Sequence, residues 1–119
     1  NRRTRTGLLS MCAVLAGNQR VGTMTVVRYM IKTEHCAPSL VAKHFDVFDL
    51  VRGDGYWRGK HEQSISISIL GTEADLEKIL QLAREIRTQY QQDEVWITSE
   101  SVTLRRVPCQ SSRSSQAKD

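Results

Sequence analysis

The segment from Gly53 to Glu62, GDGYWRGKHE, brings together the residue types that hold a small anion. Glycines let backbone amides approach a negative group closely. Arg58 and Lys60 supply positive charge, and Tyr56 and Trp57 offer ring faces for stacking. Tyr56, Trp57, Arg58, Lys60 and Glu62 are therefore the candidate ligand-binding residues. The same stretch also fits a structural arm, a turn that launches a strand with Trp57 buried at the domain edge or in a subunit contact. A phosphate-binding loop of the GxxxxGK[ST] type is excluded, because its first glycine would fall at Asp54 and its hydroxyl at His61.

Other reactive side chains are scattered. His35, Cys36, His44 and His61 follow no metal-ligand spacing, so neither a metal site nor a cofactor is expected. Cys36 lies just before Pro38, where a helix would start, and a thiol at a helix N-terminus acidifies. It is the one plausible nucleophile of an alternative reading, a small enzyme with a pocket between helices and sheet that uses His35, Cys36 or His61. Glu34 and His35 are adjacent and, in a strand, would face opposite ways. Neither GxSxG nor HExxH occurs, so no catalytic residue is assigned. Asp46 and Asp49 are expected on the solvated side of the first helix.

Composition sets the frame for these residues. A chain of 119 residues, 39% hydrophobic and 25% charged, suits one soluble domain with a modest core. The net charge of +4 is unevenly placed. Residues 1–20 hold four arginines and no acid, and 105–119 hold four basic residues against one acid. Between them lie nine basic and twelve acidic residues, so the basicity belongs to the ends. Basic ends leave open a second alternative, a nucleic-acid-associated protein acting through its termini, which the mildly acidic middle does not favour. Three widely spaced cysteines, Cys12, Cys36 and Cys109, make no disulfide framework, and reduced thiols in a cytoplasmic protein are expected. No run is long and apolar enough for a membrane span. The start, NRRTRTGLLSMCAVLAG, resembles a secretory signal only loosely, because its apolar region is short and interrupted by Ser10. Met24 can equally be a natural start, making 1–23 a flexible or non-native extension, with a single domain over 24–107 and a polar disordered tail over 108–119.

The elements follow from periodicity. MTVVRYMIK, residues 24–32, reads as a strand with Val27, Tyr29 and Ile31 on one face and Arg28 and Lys32 on the other. Pro38 suits a first helical turn, and Leu40, Val41, His44, Phe45, Phe48 and Val51 recur at helical spacing until Gly53. QSISISIL alternates, with Ile65, Ile67 and Ile69 facing the core and Ser64, Ser66 and Ser68 facing away. Thr72 and Asp75 form a near capping box for a helix whose stripe is Leu76, Ile79, Leu80, Ala83, Ile86 and Tyr90. EVWITSESVTL returns to strand, and its apolar phase changes between Ile97 and Val102, so a bulge near 99–101 is expected. Residues 53–62 can add a short strand or hairpin arm. The expected fold is α+β, a two-layer ferredoxin-like sandwich, βαββαβ or βαβαβ, with two helices on one face of an antiparallel sheet. The serine face, which also bears Arg28, is left to water or to a second copy of the chain.

YWRGKHE, SISISIL, EADLEKILQLAREI and EVWIT, taken in that order over residues 56–95, resemble the second half of CutA-type and PII-like ferredoxin-fold proteins. In those proteins an arm with Trp, Gly, Lys and Glu precedes the strand, and three subunits associate through their sheets. The aromatic and Gly-Lys spacing is compressed here, and QYQQDE stands where the family has a His-Pro-Tyr-Glu turn. The resemblance implies the fold and a self-associating sheet, and it transfers no metal, nucleotide or site residue. The expected function is a small binding or accessory module that forms a dimer or trimer, takes a small anionic ligand on the arm, and has no membrane partner.

Overall fold

The computed structural model describes residues 21–109. Most of the expected extension 1–23, nearly all of the tail 108–119 and much of the basic ends lie outside them. The elements are β1 (Gly22–Thr33), α1 (Pro38–Ala42), β2 (Asp49–Trp57), β3 (Lys60–Gly71), a 3-10 turn at Glu73–Asp75, α2 (Leu76–Gln89) and β4 (Trp96–Arg106). The four strands make one sheet in the order β2-β3-β1-β4, with β3 antiparallel to both its neighbours. Among the described residues no helix is long and apolar enough to cross a membrane.

By contact density the chain divides into two units. The larger, Val26–Val102, holds the core. Strand register aligns Tyr29 with Ile69, Ile31 with Ile67 and Thr33 with Ile65, which stacks the apolar residues of β1 and β3 on one face. Leu40 and Val41 of α1 and Ile79, Leu82 and Ile86 of α2 close over that face. Both helices therefore cover the same side of the sheet. Burying each of these side chains removes apolar area from water, worth about 1.5–3 kcal/mol apiece. The opposite side carries Arg28 and Lys32 of β1, Ser64, Ser66 and Ser68 of β3 and Val51 and Trp57 of β2. Of the smaller unit, 21–25 and 103–109 are described, and there the Arg106 guanidinium donates to Met24 Sδ at 3.6 Å.

Thr72 Oγ1 accepts from Ala74 N at 3.2 Å and Asp75 Oδ2 accepts from Thr72 N at 2.8 Å, so both arms of the capping box form. The α2 stripe is shifted, however: Leu82 is in the core and Leu76 is exposed. β4 runs from Trp96 to Arg106, and its partly buried positions change phase between Ile97 and Val102, the shift for which a bulge near 99–101 is expected.

The first helix is the main correction. It ends at Ala42 instead of reaching Gly53, and β2 begins at Asp49. Phe45, Phe48 and Leu50 do pack against the core, but from a turn and a strand. Pairing with β3 explains the switch, because Leu50 opposite Ile67 continues the buried row while Val51 opposite Ser66 turns outward, 62% exposed. A helix over the same residues would leave the β3 edge unpaired. Asp46 accordingly lies in the turn and Asp49 starts the strand, and Gly53 sits inside β2.

Candidate functional site

The arm is a β-hairpin. β2 and β3 pair from Asp49 opposite Ser68 out to Trp57 opposite Lys60, and only Arg58 and Gly59 form the turn. Both have positive φ, 51° and 82°, the pattern of a type I′ turn. Gly59 takes this conformation without cost, whereas an L-residue with a long side chain is held in it at about 1–2 kcal/mol. An Asn would fit better than Arg58 there.

Register divides the candidate residues between two faces. Tyr56 opposes His61 on the helix-covered side, and Trp57 opposes Lys60 on the helix-free side, as Glu62 opposes Gly55. On the first face His61 Nε2 meets Asp54 Oδ1 at 2.6 Å, and the Tyr56 ring stands edge-on to His61 at 5.3 Å. These contacts stitch the hairpin together. On the second face Arg58 stacks over the Trp57 ring at 5.4 Å, and Trp57 meets Trp96 edge to face at 6.4 Å. Trp57 is 53% exposed and Trp96 54%, so the pair is a surface feature. The expected convergence thus covers Trp57, Arg58 and Lys60, without Tyr56. Glu62 belongs with Glu34: lost hydration, then the negative charge of Glu34 and the hydrogen bond the two carboxyls share, raise the Glu62 pKa against an opposing effect of His61.

Trp96 was not among the sequence candidates. The signal for it was present in VWI, because Ile97 packs inward and its neighbour must then point the other way. On the helix-free face Arg28 pairs with Glu100 at 2.6 Å, and Lys32 donates to the Ser66 hydroxyl at 2.9 Å.

No protein-family model matches this chain, and no curated protein matches it either.

The residues of the enzyme alternative are placed as follows. Cys36 is buried, its Sγ–H donating to Ala37 O at 3.4 Å, and burial pushes its pKa up against a smaller opposing effect of Arg52. This corrects the expectation of an acidified thiol, since desolvation penalises the thiolate and α1 is only five residues long. His61 is tied to Asp54, and His44 Nε2 meets Glu85 Oε1 at 3.0 Å, which lowers the Glu85 pKa. An open groove between the helices is lined by Leu40, Lys43, Gln81, Arg84, Glu85 and residues of the end of α2, and contains none of His35, Cys36 or His61. Cys36 is a free thiol, but Cys109 is disulfide-bonded, which departs from the expectation of three reduced cysteines.

QYQQDE, where the resemblance to the CutA-type pattern lapses, has a structural task instead. Gln92 Oε1 accepts from Thr33 Oγ1 at 2.6 Å and from Glu34 N at 2.9 Å, and its Nε2 donates to His35 O at 3.1 Å. Tyr90 Oη accepts from Ala37 N at 2.9 Å. Together they clamp the loop between β1 and α1, aided by the left-handed Gln91, whose φ of 53° turns the chain out of α2.

Proposed function

We propose that this protein is a small self-associating binding or accessory module, a ferredoxin-like domain that forms a homo-oligomer through its sheet. The element order βαββαβ and the strand order β2-β3-β1-β4 support the ferredoxin-like architecture. The observation that carries the functional reading is the exposed Trp57–Trp96 pair on the side of the sheet that receives neither helix. Large aromatic area left in water is costly, and it marks surfaces that meet a partner. The resemblance to CutA-type proteins points the same way. Light scattering on the full chain tests the reading: a dimer or trimer is expected, weakened by Trp57→Ser, and a monomer at high concentration contradicts it.

The ligand part of the proposal rests on Trp57, Arg58 and Lys60, with the strained Arg58 backbone as its support. A small anion would be held by the two cations beside the Trp57 ring. Titration with inorganic phosphate, read by tryptophan emission, should show binding that Arg58→Ala and Lys60→Ala each weaken. Unchanged affinity in both variants removes the anion from the account and leaves self-association standing. A cytoplasmic setting belongs to the same proposal and has the Cys109 disulfide against it, since disulfides persist in oxidising compartments. Counting free thiols in protein isolated under alkylating conditions decides that point.

A further inference from the structure

Among the described residues β2 is an edge strand, with β3 on one side and no strand on the other. Its outer rim therefore presents unpaired N–H and C=O groups, and proteins commonly blunt such rims with Lys, Pro or bulges. DLVRGDGYW contains neither Lys nor Pro, and pairs with β3 in one unbroken register from Asp49 to Trp57. Val51, Tyr56 and Trp57 are all more than half exposed along it. The rim is open, and its sequence can be read for the partner that fits it.

Building on the self-association proposed above, we propose that two copies pair β2 to β2, antiparallel, about a two-fold axis at Gly53. In that register Arg52 of each copy lies directly opposite Asp54 of the other, so two opposite-charge pairs form by symmetry. Leu50 meets Tyr56 on the same face, while Val51 meets Gly55 and Asp49 meets Trp57 on the other face. Neighbouring registers are penalised. Sliding one copy by two residues sets Arg52 on Arg52 in one direction and Asp54 on Asp54 in the other. A slide of one residue brings side chains from opposite faces of the sheet into register.

Three further observations bear on this pairing. Arg52 takes part in none of the ion pairs among the described residues, whereas Glu100 on β4 is engaged by Arg28. Asp54 meets His61 through Oδ1, leaving Oδ2 for a guanidinium. Gly53, at the axis, has no heavy atom within 4 Å of the position a Cβ would take, so a side chain can be introduced there. The two four-stranded sheets then become one continuous sheet, with the helices of both copies on the same side.

The test uses the full chain with far-UV circular dichroism to confirm folding of each variant. Directly opposed residues in an antiparallel pair have Cα atoms about 4.5–5.5 Å apart, inside the range a disulfide spans. Gly53→Cys should therefore cross-link to its own counterpart under mild oxidation, and Val51→Cys, displaced from the axis, should not, each measured against the unsubstituted chain. Arg52→Glu should weaken the dimer roughly tenfold or more by opposing like charges twice, and the exchange Arg52→Asp with Asp54→Arg should restore it. A chain that associates while Gly53→Cys cross-links no faster than Val51→Cys, or while Arg52→Glu has no effect, overturns β2 pairing and leaves self-association intact. A chain that stays monomeric overturns both.

Discussion

Along β3 the odd-numbered Ile65, Ile67 and Ile69 are buried beneath both helices, whereas the even-numbered Ser64, Ser66 and Ser68 on the same backbone remain partly exposed. The two faces obey different rules. On the covered face each side chain fills a volume bounded by other side chains, so its size decides stability. On the helix-free face, contacts such as Arg28 with Glu100 and Lys32 with Ser66 lie at the surface, where water competes for them. One face holds the fold, and the other stands exposed. The exposed Trp57–Trp96 pair is the point at which the second face stops resembling ordinary solvated sheet.

That contrast can be broken from the covered side most severely. Ile67→Ala removes a fully buried side chain and should cost about 2–5 kcal/mol in urea unfolding. A loss below 1 kcal/mol would mean the core is looser than its burial implies. Gln92→Ala should cost about 1–3 kcal/mol, because Thr33 Oγ1 and the Glu34 N–H lose their acceptor at a partly buried site. Thr72→Ala removes one arm of the capping box on the 3-10 turn that leads into α2 and should cost about 1 kcal/mol.

A smaller effect appears only at alkaline pH. Burial raises the Cys36 pKa, so the folded state keeps the proton where the unfolded chain releases it. The resulting contribution is complete below the ordinary thiol value and is lost as pH rises through the raised one. Wild-type stability should accordingly fall more steeply than that of Cys36→Ala once the pH rises past the ordinary thiol value of about 8.5. Identical slopes would show that the thiol is not desolvated. Ser66→Ala, on the open face, should change stability by less than about 0.5 kcal/mol. A cost comparable to Ile67→Ala would erase the distinction between the faces.

Much of this fold was legible in the sequence where one signal acted alone. The Ser/Ile alternation could only be a strand, and the α2 stripe between Thr72 and Tyr90 had both a period and a cap. The failure came where two signals coincided. Leu40, Val41, His44, Phe45, Phe48 and Val51 are spaced as on a helix, yet Phe48 and Leu50 reach the core from a turn and a strand. Pairing with β3 some fifteen residues further along decided the conformation, and local spacing carries no record of it. The candidate site was legible as composition and misread as geometry. Tyr56 and Trp57 are neighbours in sequence, and a strand sends neighbours to opposite faces. Gln92 lay in a segment noted only for departing from a family pattern, and its role depends on backbone groups of β1 that no motif announces.

The most direct measurement is the mass of the full chain in solution by light scattering over a wide concentration range. Self-association through the sheet predicts a species at two or three times the 13.5 kDa chain mass, twice if β2 pairs with β2, falling toward the monomer on dilution and when Trp57 is replaced by serine. A mass that stays at 13.5 kDa at every concentration would contradict it, and would return the Trp57–Trp96 face and the β2 rim to solvent.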